Sequence, residues 1–491
     1  MRPSIASVLL FAVYAHAGEP VDLGGRRELF VDRKLIETMN GLDLRIHAPK
    51  PEETAIQFDR PWEGRFSAYI TVLHDPTLKK YRMYYRGNQG VADGSGGEVT
   101  CYAESSDGVR WTKPSLGLHE INGSRENNVV LARNPPFTHN FAPFLDRRPG
   151  VANSERYKTL AGLGGKHGGL CAFASEDGIH WRKLQDTPVI TKGAFDSQNV
   201  SFWSEAEQCY VAYFRIFTGG GVDEKGWSPK GVRWVSRATS KDFLSWSEAV
   251  TMSCDQPLVD QIYINQTTPY FNAPHFYIAT AARFMPQKNP LESAEKAALA
   301  ADTKAYPALV KDTSEAVLMS TRAGTAEYNR TFMEGFVRPG TDFRNWTSRS
   351  NYPACGIVPT GDSEISVYVE HHYGQTTAFV RRYSMRLDGF GSLHAGYAGG
   401  EMTTKPLKFT GLALHANIST GAAGRAVVEI QDGNGEVLPG FSAADCVPLS
   451  FDSTDRAFRW KDGRDLSALQ GKSVRLKWFL SDADLFAFWF Q

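Results

Sequence analysis

Ser105-Ser106-Asp107-Gly108-Val109-Arg110-Trp111 recurs, with variation, as Ser175-Glu176-Asp177-Gly178-Ile179-His180-Trp181, Ser240-Lys241-Asp242-Phe243-Leu244-Ser245-Trp246 and Gly340-Thr341-Asp342-Phe343-Arg344-Asn345-Trp346. The aspartate and the tryptophan keep one offset. Asp accepts hydrogen bonds from backbone amides across a tight turn, Gly tolerates the turn's dihedrals, and Trp fills the gap between adjacent sheets. The tryptophans lie 70, 65 and 100 residues apart. The longest interval holds an Ala/Lys/Glu-rich stretch, Leu291 to Lys311, that reads as an inserted helix. Without it the period returns to roughly 70 residues, the size of a repeated four-stranded unit. A closed ring of such units is a β-propeller.

Short alternating or apolar runs surround each turn. First strands are predicted at Ala68–Leu73, Ala142–Leu145, Val200–Trp203, Ile262–Tyr270 and Ile365–Val369. Only two strands are clear in the fifth unit. Glu28–Ile36 and Leu42–His47 are strand-like without a partner, and would supply the rest by closing the ring. The expected fold is all-β: a five-bladed β-propeller over 18–395, then a β-sandwich over 396–491. In the second part, Phe486, Phe488 and Phe490 alternate as a strand with one buried face does.

Composition narrows the function. Lys+Arg and Asp+Glu are both 54, and no basic run stands out, so charge gives no argument for a nucleic-acid partner. Met1-Arg2, an apolar stretch from Ile5 to Tyr14 and Ala15-His16-Ala17 read as a signal peptide over 1–17, too short to span a bilayer. A secreted or periplasmic protein without membrane insertion is expected. Six cysteines are scattered without a metal or redox spacing, so neither a metal nor a cofactor is indicated.

The chain resembles the five-bladed propeller glycosidases, the group of glycoside hydrolase families 32, 43, 68 and 117. It is most similar to secreted bacterial family-32-like proteins. The Asp/Trp turns, the five units and the appended C-terminal sandwich carry the resemblance, which implies a carbohydrate substrate. The chain departs from family 32 where that family keeps its nucleophile: Arg65-Phe66-Ser67-Ala68-Tyr69-Ile70-Thr71-Val72 holds no carboxylate. The family's R-D-P and E-C motifs are also absent, so fructan cleavage is not implied residue by residue.

In a propeller the innermost strands line a funnel, and their first residues face the ligand. Glycoside hydrolysis needs two carboxylates there. Asp196 and Glu364 are the first pair, each placed before a predicted innermost strand, and Glu63 is the third candidate. Trp62 offers a stacking face, and His139, Asn140, Gln198, Asn199, Tyr263 and His371 offer hydroxyl partners. Each has a structural alternative: Asp196 as a turn cap, Glu364 as a solvated turn carboxylate, Glu63 as a surface charge, His139 as a satisfied core imidazole. Asp107, Asp177, Asp242 and Asp342 are structural, because no single site needs four equivalent aspartates. Arg86, Arg215, Arg283 and Arg322 recur near strand ends, as inter-blade ion pairs or as a site for an acidic sugar. The alternative to a glycosidase is a non-catalytic carbohydrate-binding or scaffold propeller.

Overall fold

A computed structural model describes residues 19–90, 97–164, 168–223, 226–257, 260–303 and 307–491. The segment read as a signal peptide lies outside them. The described chain is nearly all β and divides into two compact units: 29–32 with 44–392, and the remainder.

The larger unit is a five-bladed propeller, each blade an antiparallel sheet with its first strand innermost. Blade I comprises Ala68–Asp75, Lys80–Gly87, Val99–Ser105 and Val129–Leu131. Blade II comprises Phe144–Leu145, Tyr157–Ala161, Cys171–Ser175 and Arg182–Lys183. Blade III comprises Val200–Ser204, Cys209–Phe217, Arg233–Ser240 and Val250–Thr251. In blade IV, Gln261–Ile264 and Thr267–Tyr270 both pair with Ala273–Met285, followed by Thr313–Arg322 and Gly335–Val337. The inserted segment carries a helix, Ser293–Thr303.

Blade V corrects two expectations. Its innermost strand is the broken pair Tyr352–Pro353 and Val358–Pro359, not Ile365–Val369; Glu364–His371 is the second strand. The N-terminal region does close the ring, but with Lys50–Gln57 against Phe379–Arg386. Ile36–Asn40 instead pairs with Gly400–Thr404 in the smaller unit.

The turns explain the repeat. Asp107 Oδ1 accepts from the amides of Val109 and Arg110 at 2.8 and 2.9 Å, and Asp177 does the same for Ile179 and His180, both at 2.8 Å. Backbone hydrogen bonds hold the Asp177 carboxyl down at about 2 despite partial burial. Gly108 and Gly178 have φ of +73° and +75°. A Cβ on Gly178 would sit 2.6 Å from the Tyr84 hydroxyl, which donates to the Gly178 carbonyl at 2.8 Å and so pins blade II to blade I. In blade III, Phe243 takes the glycine's place at φ +70° and buries its ring 5.6 Å from Phe144 of blade II. The fourth motif is not equivalent. It follows the outermost strand of blade IV, forms a short 3-10 turn over Phe343–Asn345, and its indole N–H reaches Gly340 instead of residue 343.

The smaller unit is built on a ten-stranded sheet in which Leu414–Asp432 pairs along most of its length with Val474–Phe490. Leu485 to Phe490 are all buried, so this strand end is covered on both faces rather than one. Val21–Gly24 adds a parallel edge against Leu407–Phe409. All six cysteines are free thiols, five of them buried.

Candidate functional site

The blades leave an axial channel that is blocked partway. The Gln198 amide donates to Ile70 O and Thr71 Oγ1 at 3.1 and 2.7 Å; Gln266 donates to Gln198 Oε1 and Pro353 O at 2.5 and 2.9 Å. These two buried amides tie four blades across the axis. Beyond the plug lies a cavity of about 410 Å³ walled mainly by apolar groups such as Val72, Phe144, Phe202 and Val358. Gln198 is therefore a plug between blades rather than a group open to ligand.

At the mouth, where the innermost strands begin, the polar residues gather. Asp196, in the loop before blade III, is 38% exposed at its side chain and ion-paired to buried Arg215 of that blade's second strand. His139, before blade II, places Nε2 3.3 Å from the Asp196 carbonyl and Nδ1 3.0 Å from Glu98 Oε2. Glu98 immediately precedes the third strand of blade I. Arg86 reaches His139 Nδ1 at 3.2 Å and lies 3.6 Å from Glu98. The Tyr69 hydroxyl donates to the Asp196 carbonyl at 3.1 Å, from a backbone φ of +57°. Glu98, His139 and Asp196 all line one cavity of about 1170 Å³, with Gln89, Asn122 and Thr138.

The proton count here is constrained. A carbonyl oxygen only accepts, so His139 Nε2 carries a hydrogen toward Asp196. Nδ1 then faces both Arg86 Nη1, at 3.2 Å, and Glu98 Oε2, at 3.0 Å, so the imidazole, the guanidinium and the carboxylate form one polar cluster at the cavity wall.

Asn140 and Asn199 shape the loop that presents Asp196. Asn140 Nδ2 donates to the carbonyls of Gly162, Phe195 and Ser197, and Asn199 Nδ2 to those of Phe195 and Ser197. Both are buried, so they position the loop instead of meeting ligand.

The remaining expected residues lie elsewhere or are engaged. Glu364 begins the second strand of blade V, at the end opposite Tyr352, and six residues short of Glu370, which pairs with Tyr352. That is about 20 Å of strand. Tyr352 in turn lies 5.4 Å from Tyr263, whose ring carries Arg215, the partner of Asp196, at 4.7 Å. Glu364 and Asp196 are thus at opposite ends of the propeller and cannot flank one bond. Glu364 instead pairs with Arg382, which also binds Glu53. Glu63 has no exposed side-chain surface; it accepts from Tyr85, the Arg60 amide and Lys113 at 2.6, 2.9 and 2.7 Å. Trp62 is buried beside it, its indole N–H bound to Asn128. His371 is bound by Asn345, Asn351 and Tyr383, and burial lowers its pKa to about 3. Tyr263 is at the mouth, buried beneath arginines. Glu98 escaped the sequence reading because it precedes a third strand, not a first. Its signal was the glycine-rich sequence between Arg86 and Val99, residues at the ends of two paired strands.

No family model matches the chain. It is 28% identical over 155 residues to the uncharacterized protein Rv1502 of Mycobacterium tuberculosis, spanning 30% of this chain and 44% of that protein, so it covers less than half of this relative's length. Among solved structures it is similar to a glycoside hydrolase, at 11% identity and TM-score 0.44, covering 69% of this chain and 92% of that one. It is also similar to a family 43 arabinoxylan arabinofuranohydrolase from Bacillus subtilis, at 12% identity and TM-score 0.39, covering 88% and 96%. A fructofuranosidase from Schwanniomyces occidentalis matches at 10% identity and TM-score 0.36, covering 95% and 98%. Residue roles are not carried across at such identities.

Proposed function

We propose that the chain is a glycoside hydrolase acting outside the cytoplasm, with Asp196 and Glu98 as its working carboxylates. The observation that carries this reading is their convergence, from blades III and I, on one cavity, with His139 between them. Arg215 favours the ionised form of Asp196, suiting it to act as base or nucleophile. Glu98, beside His139 at the cavity wall, takes the acid's part of the reaction toward the departing glycosidic oxygen. Tyr69, Asn140 and Asn199 hold the Asp196 loop in place.

A binding propeller without catalysis is the second reading. It is favoured by Phe66, Ser67, Ala68 and Tyr69 standing where related enzymes keep a carboxylate on blade I. A panel of aryl glycosides and oligosaccharides separates the two. Turnover lost by about a hundredfold or more in both Asp196→Asn and Glu98→Gln, with folding intact, supports the hydrolase. Sugar binding by the wild type without any turnover refutes it.

A further inference from the structure

Arg233 opens the third strand of blade III at the mouth, directly across from Phe217. Its guanidinium lies 5.3 Å from the Phe217 ring centroid, 5.3 Å from Tyr263 and 4.8 Å from Phe284. Nη1 donates to Gln261 Oε1 at 2.6 Å. Nε is buried without a hydrogen-bond partner, and among the described residues Arg233 meets no carboxylate. Four other blade arginines each have a carboxylate, Arg237 with Glu207, Arg283 with Glu315, Arg322 with Asp32 and Arg382 with Glu53, although Arg237 shares the orphaned Nε. Arg215, over the same Tyr263 ring, is already paired with Asp196. Burial lowers the pKa of Arg233, and neighbouring Arg215 adds to the effect. A bound anion relieves that cost. The guanidinium keeps N–H groups that no described carboxylate engages, a donor set matched to a carboxylate.

An independent feature sits beside it. Trp227 is 46% exposed, on a short hairpin of Val222–Asp223 with Gly226–Trp227. Its ring is 6.2 Å from Phe217, the ring that underlies Arg233. An exposed indole offers a flat face for the C–H side of a sugar ring, beside a cation that meets no carboxylate among the described residues.

We infer that Arg233 binds the carboxylate of a hexuronic acid residue while Trp227 stacks its ring, so that the ligand is an acidic oligosaccharide. The inference deepens the hydrolase reading and depends on it for turnover, but not for binding.

Calorimetry with three kinds of trisaccharide tests it: uronic acid trisaccharides (galacturonate and glucuronate forms), their carboxyl-reduced neutral counterparts, and a sulfated neutral one. Wild type and Asp196→Asn should bind a uronate form in preference to the neutral sugar. Arg233→Gln should weaken that binding by about ten- to a hundredfold, the worth of a charged bidentate contact. Arg233→Lys, which keeps the charge and loses the fork, should fall between, and Trp227→Ala should weaken both sugars. If Arg233→Gln does not fold, the lysine and Trp227 variants carry the test. Equal affinity for neutral and acidic sugars, or uronate binding unchanged within about twofold in Arg233→Gln, overturns the inference. Preference for the sulfated sugar overturns its carboxylate assignment. Arg233-dependent uronate binding without turnover sinks the hydrolase reading and leaves this inference standing. Turnover of a neutral sugar that Arg233→Gln does not affect does the reverse.

Discussion

Asn140→Ala probes how the Asp196 loop is held. Asn140 has no exposed surface, and its amide serves three carbonyls and one N–H. Asn199 backs up two of those carbonyls, Phe195 and Ser197, at 3.0 and 2.8 Å. The substitution therefore strips the side-chain partner only from the N–H and C=O of Gly162. A buried polar group left unpaired costs about 1–3 kcal/mol, so the expected loss is about 2–5 kcal/mol, toward the low end if water enters the space. Asn199→Ala alone should cost about 1–2 kcal/mol, because Asn140 still reaches both shared carbonyls. The double variant removes the last side-chain donor from each, and its loss should exceed the sum of the singles by about 1–2 kcal/mol. Urea unfolding followed by tryptophan fluorescence measures each value. Turnover should fall most in the double variant, with the larger effect on kcat, because Asp196 is displaced only when both side-chain donors to its flanking carbonyls are gone. A cost below about 0.5 kcal/mol, or strict additivity in the double variant, would refute this account of the loop.

The other predictions concern the frame. Trp181 packs 4.9 Å from Phe141 and 6.3 Å from Tyr84 across the gap between blades, so Trp181→Ala should cost about 2–4 kcal/mol in thermal unfolding while kcat holds. The buried His371 imidazole stays neutral to about pH 3, whereas an unfolded histidine takes up its proton near 6.5. The unfolded state thus binds the extra proton between those values. Stability from this group is complete above pH 6.5 and falls by about 1.4 kcal/mol per pH unit on acidification. His371→Gln should be less stable at pH 7 yet show a shallower pH slope, and equal slopes in the two proteins would count against it. Glu364 is 41% exposed and distant from Asp196, so Glu364→Gln should change stability by less than about 1 kcal/mol and leave kcat unchanged. A hundredfold fall in kcat would return Glu364 to the active site.

The sequence by itself determined the blades. Asp107, Asp177 and Asp242 act within five residues of themselves, so their turns are local and readable without the fold, as is the register that puts a tryptophan behind each. Even the exception was legible in part: the fourth motif has Gly for Ser at its first position, and it forms a different turn. Tertiary structure alone decided the ends. Blade V's innermost strand is interrupted between Pro353 and Val358, with Arg349 and Asn351 just ahead of it at φ of +64° and +65°, so no alternating pattern marks it. The regular run at Glu364–His371 read as the first strand when it was the second, and antiparallel pairing sends the second strand the opposite way. One misplaced strand moved Glu364 the length of the blade. Glu98 and Asp196 stand 98 residues apart in the chain, and no spacing rule joins them. The side-by-side packing of blades I, II and III and the short reach of one imidazole bring them to a common wall, because only the folded propeller sets strand ends from different blades side by side.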